Sequence, residues 1–384
     1  MRVLHLIPSL TRGGAERQLL QLVCEDGAAR SHSIVTMMDC STNQNYKVES
    51  GKALVTGLGM RRGVPSLHGL WRMCKLIRDL KPDVLHSWMY HANLLGLLAA
   101  SLMRVPLLIW GIRCSDMDFS RYSALSRLVF RLNALTSDIP SIIVVNSRRG
   151  ISFHSEMGFS TRRMTFIPNG IDTKKFKPDV SARPALLEEL KCDKRALLVG
   201  HFARYDPMKD HETFLLAAQA IRRAVPRVHF VLAGDGVGPG NEALTALIRK
   251  HDLTDCMSLL GPRDDVPRLM AALDLFCSSS AFGEGFSNTL GEAMASGVAC
   301  VATNVGDTEV ILGEGGLVVP ARRPNELAQE CIRMLQLEPE ARAKIGRSAT
   351  ERVIDRFGIS KSCEEYSQMY YRLVTNRVSA KDAQ

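Results

Sequence analysis

The chain predicts an α/β protein: two Rossmann-like domains in tandem, facing each other across a cleft, with a C-terminal helix returning to the first of them. Three observations predict it. Short runs that are apolar throughout alternate with segments of helical period over the first half of the chain. A stretch at 166–179, with Pro, Asn-Gly and a lysine cluster, interrupts the pattern as a turn and linker. After it the alternation starts again. Strands apolar on both faces belong to sheets covered on both sides, and strand–helix alternation makes such sheets parallel. The expected boundaries are 1–175, 176–359 and 360–384.

In the first domain "RVLHLI" (2–7) reads as a buried strand, followed by a glycine loop and an amphipathic helix at 15–26. Further strands are expected at 32–38, 83–88, 106–112 and 141–147. The helix at 66–82 stops at Pro82, whose ring and missing N–H end a helix, and another spans 92–103. In the second domain the strands are 196–203, 227–236, 257–261, 274–280, 298–303 and 315–320. Helices at 211–225, 241–253 and 265–273 alternate with them. A further helix starts at Ser287 or Asn288 and stops at Gly297, with Leu290, Ala293 and Met294 inward. Residues 360–378 read as the closing helix. Ligands of open parallel sheets sit at the carboxyl ends of strands, so the cleft is the natural site.

Composition bounds the function. A hydrophobic content of 46% with 23% charged residues is that of a globular enzyme. The ten cysteines form no C-x-x-C pair and no Cys/His cluster at zinc spacing, which argues for a reducing compartment without disulfides or a structural metal. The opening "MRVLHLIPSL" is too short an apolar run for a secretory signal. The longest apolar stretch, 92–103, ends at Arg104 and falls short of the roughly 20 residues a bilayer requires. A cytoplasmic location is expected. The net charge of +9 divides into +11 over residues 1–180 and −2 over 181–384. The basic half is either a solvated surface or a surface drawn to anionic phospholipid or a lipid-diphosphate acceptor. Nucleic acid is not expected as a partner, because no basic run is interleaved with aromatics.

Three motifs carry chemistry, and a fourth only looks as if it does. Gly13 and Gly14 stand between a strand and a helix start, where bare amides and the helix dipole favour an anion; a tight turn needing glycine is the alternative. Arg204 and Lys209, in a loop after a strand, suit phosphate oxygens, although such a pair alone is often plain surface. "LAGDGVGPG" (232–240) is not a dinucleotide fingerprint, since Pro239 stands where its last glycine belongs. In "GEGFSNTLGEAMASG" the amides around Gly285, Phe286, Ser287, Asn288 and Thr289 would form an anion nest at the helix start. Glu292, a turn in, could then accept both hydrogens of a ribose diol. Glu284, ahead of the helix, could hold hydroxyls of a group beyond the diphosphate. A helix-stabilising Glu292 alone, worth about 0.3–1 kcal/mol, would leave Glu284 unexplained.

The order of "GGAER", "PNGID", "ARYDPMKDHETFL", "LLGPRDDV" and the E-x7-E of Glu284 and Glu292 resembles the retaining glycosyltransferases of family 4, which have the GT-B fold. The resemblance covers nearly the whole chain. It implies a nucleoside diphosphate sugar as donor, UDP-sugar before GDP-mannose, and a glycan acceptor, plausibly lipid-linked, in polysaccharide or lipopolysaccharide assembly. It implies that Arg204 and Lys209 neutralise the leaving diphosphate, that Glu292 takes the ribose and Glu284 the donor sugar, and that Gly13 and Gly14 lie near the diphosphate and acceptor. The segment Gly261 to Val266, with Arg263, resembles the base-binding edge. A histidine near the reacting centre is common in the family; His86 and His91 are both candidates, and His91, in "HANLLG", is preferred. Where relatives often carry a second polar residue, this chain has Trp88 or Met89. No metal or other cofactor is expected, and the Asp-x-Asp string at Asp116 and Asp118 falls outside these motifs. A nucleotide-sugar epimerase of the same fold and a non-catalytic nucleotide-sugar-binding protein are the alternatives.

Overall fold

A computed structural model describes residues 1–10, 13–26, 30–39, 53–61 and 63–382. The chain folds into two compact units: Met1–Gly170 together with Ile359–Gln384, and Ile171–Gly358.

In the first unit the elements are β1 (Arg2–Ile7), α1 (Gly14–Glu25), β2 (Ser31–Thr36), β3 (Ala53–Gly57), α2 (Leu67–Leu80), β4 (Val84–Trp88), α3 (Tyr90–Met103), β5 (Leu107–Ile112), α4 (Ala124–Leu135), β6 (Ile142–Val145), α5 (Arg148–Glu156) and β7 (Met164–Phe166). Among the described residues the seven strands form one parallel sheet in the order β3-β2-β1-β4-β5-β6-β7. β1 shows why its sequence is apolar without alternation: Leu4 and Leu6 enter the core on one side of the sheet, Val3 and Ile7 the core on the other. Helix α2 begins where the Ser66 hydroxyl accepts the Gly69 N–H at 2.9 Å. It ends at Lys81, which turns left-handed (φ 44°) ahead of Pro82.

The second unit holds α6 (Ala182–Glu189), β8 (Leu197–Phe202), α7 (His211–Ala224), β9 (Val228–Ala233), α8 (Glu242–Lys250), β10 (Met257–Leu259), α9 (Val266–Ala271), β11 (Leu275–Ser278), α10 (Asn288–Ala295), β12 (Cys300–Thr303), α11 (Thr308–Leu312), β13 (Gly316–Val319), α12 (Pro324–Gln336) and α13 (Pro339–Phe357). Its sheet is also parallel, ordered β10-β9-β8-β11-β12-β13. Leu290, Ala293 and Met294 of α10 are fully buried, as their spacing predicts. The chain then returns to the first unit as α14 (Ile359–Asp382). Tyr366 and Tyr370 of this helix are fully buried among Val3, Ile7, Trp88 and Ile109.

The structure corrects the sequence reading in places. Phe166, expected to open a linker, closes β7, because its backbone pairs with Val145. Helices α4, α5, α6, α11, α12 and α13 occupy stretches where the sequence pattern predicts no element. The edge strand β3 is equally unpredicted; none of its residues is fully buried, so its apolar signal is weak.

Candidate functional site

In the second unit the carboxyl ends of β8 and β11 carry the two charged motifs. Leaving β8, the chain forms a single turn at Pro207–Lys209, started by Asp206 Oδ1 accepting the Met208 N–H at 2.9 Å. Asp210 (φ 46°) then caps α7, accepting from the Thr213 N–H at 3.1 Å and its hydroxyl at 2.7 Å. After β11, the Ser279 hydroxyl donates to the carbonyls of Lys209 and Asp210, at 2.9 and 3.0 Å. The Ala281 N–H reaches the Met208 carbonyl at 2.8 Å. Two segments far apart in the sequence are thereby stapled together at the backbone.

Their side chains meet as well. Lys209 Nζ forms an ion pair with Glu284 Oε1, and the Ser280 hydroxyl donates to the same oxygen at 2.8 Å. Both members of the pair are largely buried, with side chains 14% and 11% exposed. A buried pair of this kind costs desolvation and is held by the extra hydrogen bond and the shape of its loop. Gly306 (φ 61°) holds that loop: a Cβ there would collide with the carbonyl oxygen of Glu284 and lie 2.7 Å from that of Gly285. The Asp307 N–H closes the contact on Gly285 at 3.2 Å. Sequence reading missed Ser280 and Gly306, since neither lies in a motif.

Helix α10 takes Ser287 as its N-cap, and the Ser287 side chain makes no capping hydrogen bond. Ser287 is buried, Asn288 and Thr289 half-buried, and Glu292 is buried a turn further on. Phe286 contributes only backbone here, because its ring packs edge-on against Phe357 in the core.

Arg204 is more open. Its side chain is 52% exposed and its Nε donates to Asp206 at 3.1 Å. Burial would raise the Asp206 pKa, but the Met208 N–H and the Arg204 charge bring it below its ordinary value. Beneath the Lys209 turn lies a feature the sequence did not announce. His211, 4% exposed, has neither ring nitrogen hydrogen-bonded among the described residues, and stands edge-on to His201 with centroids 4.8 Å apart. Burial, reinforced by the Lys209 charge, lowers the His211 pKa to about 4; burial and the neighbouring His211 lower that of His201 to about 3. Both are neutral imidazoles at neutral pH.

Arg263 is held by carboxylates within its own unit. Its guanidinium donates to Asp265 at 2.7 and 2.8 Å and to Glu189 at 2.9 Å, and Arg268 shares both acceptors. The side chain ties α6 to the start of α9. Ahead of this tie the backbone turns at Gly261 (φ 66°), and α9 opens at Val266.

In the first unit Gly13 is the N-cap of α1, with no side-chain cap, and Gly14 its first residue. The space over Gly13 is filled by the helix's own Glu16: a Cβ on Gly13 would collide with that carboxylate. An anion arriving there would have to displace Glu16. His86 is fully buried in the sheet, its Nδ1 2.7 Å from the Tyr370 hydroxyl. His91 is only half-buried, at the start of α3, so it is the histidine of the two that solvent reaches. At the carboxyl end of β5, Arg113 stacks on Trp88 at 4.7 Å and donates Nη1 to Tyr366 at 3.2 Å. Its buried Nε and Nη2 have no partner among the described residues. The only sequence signal for it is an arginine directly after the apolar run "LLIWGI". Asp118 is a turn cap, accepting from the Ser120 N–H at 3.1 Å and from Arg121 at 3.0 Å.

Each unit is a parallel α/β sheet, and the second carries a basic loop, an acidic loop and the start of α10 at one end of its sheet. Comparison with known proteins gives the family. Residues 13–170 match the glycosyl transferase 4-like domain and residues 193–337 the glycosyl transferases group 1 domain. The chain belongs to the group 1, family 4 glycosyltransferases. It is similar to the putative glycosyltransferase EpsF of Bacillus subtilis, at 25% identity over 82% of each chain. It is also similar to the Escherichia coli UDP-Gal:alpha-D-GlcNAc-diphosphoundecaprenol alpha-1,3-galactosyltransferase, at 22% over 82% of this chain and 81% of that protein. Among solved structures, Anabaena Alr3699/HepE, in complex with UDP and glucose, shares the fold with a TM-score of 0.83 at 22% identity, covering 97% of this chain and all of the other.

Proposed function

We propose that this glycosyltransferase is retaining and metal-independent, and moves a hexose or N-acetylhexosamine from a UDP-sugar to a lipid-linked glycan in polysaccharide or lipopolysaccharide assembly. GDP-mannose is the second donor to test. The observation that carries the reading is the junction of Lys209, Glu284 and Ser280 just ahead of the start of α10. Breaking a sugar–phosphate bond builds negative charge on the departing diphosphate and positive charge on the ring, and fixed groups aimed at both lower the barrier. Lys209, Arg204 and the α10 amides serve the diphosphate, and Glu292 the ribose. Glu284, pre-set by Ser280, holds hydroxyls of the donor sugar. The acceptor oxygen bonds to the anomeric carbon on the face the diphosphate leaves, and its proton passes to a diphosphate oxygen. Two cations and a helix start supply the charge that a metal ion would otherwise bring. The names of the E. coli relative and the Anabaena complex support UDP as the nucleotide, and the former supports a diphosphate-linked acceptor. No helix of the described residues is long and apolar enough to cross a membrane. The reading has a lipid-linked acceptor met at the cytoplasmic face of the membrane.

A thermal-shift screen with UDP-, GDP-, ADP- and dTDP-sugars, EDTA present throughout, tests the donor site. Stabilisation by UDP-sugars that disappears in Glu292→Ala is the expected result, followed by transfer with the anomeric configuration kept. A folded protein indifferent to every nucleotide sugar would overturn the reading.

A further inference from the structure

We propose that the solvent face of the α2–α3–α4 layer docks the protein on an anionic phospholipid surface. The inference rests on the lipid-linked acceptor proposed above, and names the surface that would meet the lipid.

Helices α2, α3 and α4 pack side by side over one face of the first sheet, burying Met73, Ile77, Leu95, Ala99 and Phe130. The outward side of a helix over a sheet is expected to be polar. Here it is not. Leu67 is 88% exposed, Trp71 57%, Leu102 65% and Leu135 81%, with Leu98, Leu128 and Ile139 also open. Along α2, Leu67, Trp71, Lys75 and Arg78 are exposed at helical spacing and form one stripe, apolar at its start and basic toward its end. Lys75 Nζ lies 5.9 Å from the centroid of the Trp71 ring, and the His68 ring stacks with that indole at 5.7 Å.

The charge on this layer is predominantly basic. The three helices and the cap residues Lys81 and Arg104 contain seven Lys or Arg and a single acidic residue, Asp79. Large apolar side chains beside basic residues are the composition of a surface that rests in the headgroup region, the apolar groups entering the acyl boundary and the cations meeting anionic headgroups. A protein partner of ordinary interface chemistry would not call for so uniform a charge. The opposite face of the sheet is closed by α1 and α14, whose buried side chains complete the core there.

Vesicle flotation of the full chain tests the proposal, with phosphatidylcholine vesicles containing phosphatidylglycerol set against phosphatidylcholine alone. Binding should require phosphatidylglycerol and weaken with salt. Trp88 and Trp110 are fully buried, so a blue shift of tryptophan fluorescence on binding would report Trp71. Lys75→Glu with Arg78→Glu should lower affinity by more than about 25-fold, taking about fivefold per lost cation. Leu67→Ser with Trp71→Ser should abolish the shift and weaken binding. Lys250→Glu, in the second unit, should change neither. Donor binding is read in parallel as the UDP-sugar thermal shift, which these variants should leave intact, so failure of the catalytic reading is seen separately. Binding indifferent to phosphatidylglycerol or to the α2 variants would overturn the proposal. So would a wild-type chain that light scattering shows to be an oligomer dissociated by the same α2 substitutions, since a second copy would then own this face.

Discussion

The two units are built to one plan and finished differently. Each is a parallel sheet wrapped by helices. The first carries a net charge of +11, and among the described residues twelve of the seventeen exposed large apolar side chains; the second carries −2 and the other five. The second concentrates its polar effort at one end of its sheet, where Ser279 and the Lys209–Glu284 pair tie two loops together while Asp206, Asp210 and Ser280 shape each loop from within. The same scaffold can therefore hold a small charged ligand through a few fixed groups, or offer a broad surface, according to what its loops and outer helix faces carry.

The comparison is broken most directly at Lys209. If the second unit holds the donor diphosphate, Lys209→Met should reduce turnover by about 10²–10³-fold, the usual cost of one electrostatic group aimed at developing charge. Initial rates at saturating UDP-sugar measure it, and near-normal rates would remove Lys209 from the chemistry.

An intermediate effect comes from pH. The His211 pKa, about 4 against an ordinary 6.5, is lowered by burial and Lys209 and opposed by Asp210 and Asp206. A depressed histidine pKa means the unfolded chain takes up the proton first. The stability is therefore intact above about pH 6.5 and declines as pH falls toward 4, by on the order of 1 kcal/mol per pH unit for each such group. Denaturant titrations of wild type and His211→Gln should show the shallower pH dependence in the variant. Parallel curves would mean that His211 opens to solvent more readily than its burial implies.

The smallest effect is expected at Arg263. Its carboxylate partners are part-exposed, so Arg263→Ala should cost no more than about 1 kcal/mol of stability and leave UDP affinity unchanged. A large loss of UDP affinity in calorimetry would return the side chain to the base-binding role that the sequence suggested.

The fold was legible wherever a strand is buried on both faces, since β1, β4, β5, β8 and β9 are short apolar runs between polar turns. It was less legible where helices bury little. α13 buries Arg342, Gly346 and Ala349 ahead of Val353 and Phe357, and a stripe that begins with an arginine, a glycine and an alanine shows little apolar period. In the site, Glu284, Lys209 and Glu292 could be picked out because their spacing repeats a known order. The groups that bring them together could not. Gly306 acts on Glu284 through a backbone approach, and Ser280 through a hydroxyl that looks ordinary in "CSSS". Nothing local in the chain encodes such contacts. The Glu16 carboxylate over Gly13 is a reminder that an open helix start in a sequence can be filled by the helix itself.

The return of α14 to the first unit has a consequence for biosynthesis. The second unit is one uninterrupted stretch, and its core can close as soon as α13 has been made. The first cannot: Tyr366, Met369 and Tyr370 belong to the cluster begun by Val3 and Ile7. The part of that side of its sheet which α14 covers must wait while the whole of Ile171–Gly358 is translated. At about 5–20 residues per second that wait lasts roughly ten to forty seconds. Throughout it the nascent chain presents a broad apolar face, which makes the first unit, though first to emerge from the ribosome, the last to be finished and the one in need of a chaperone.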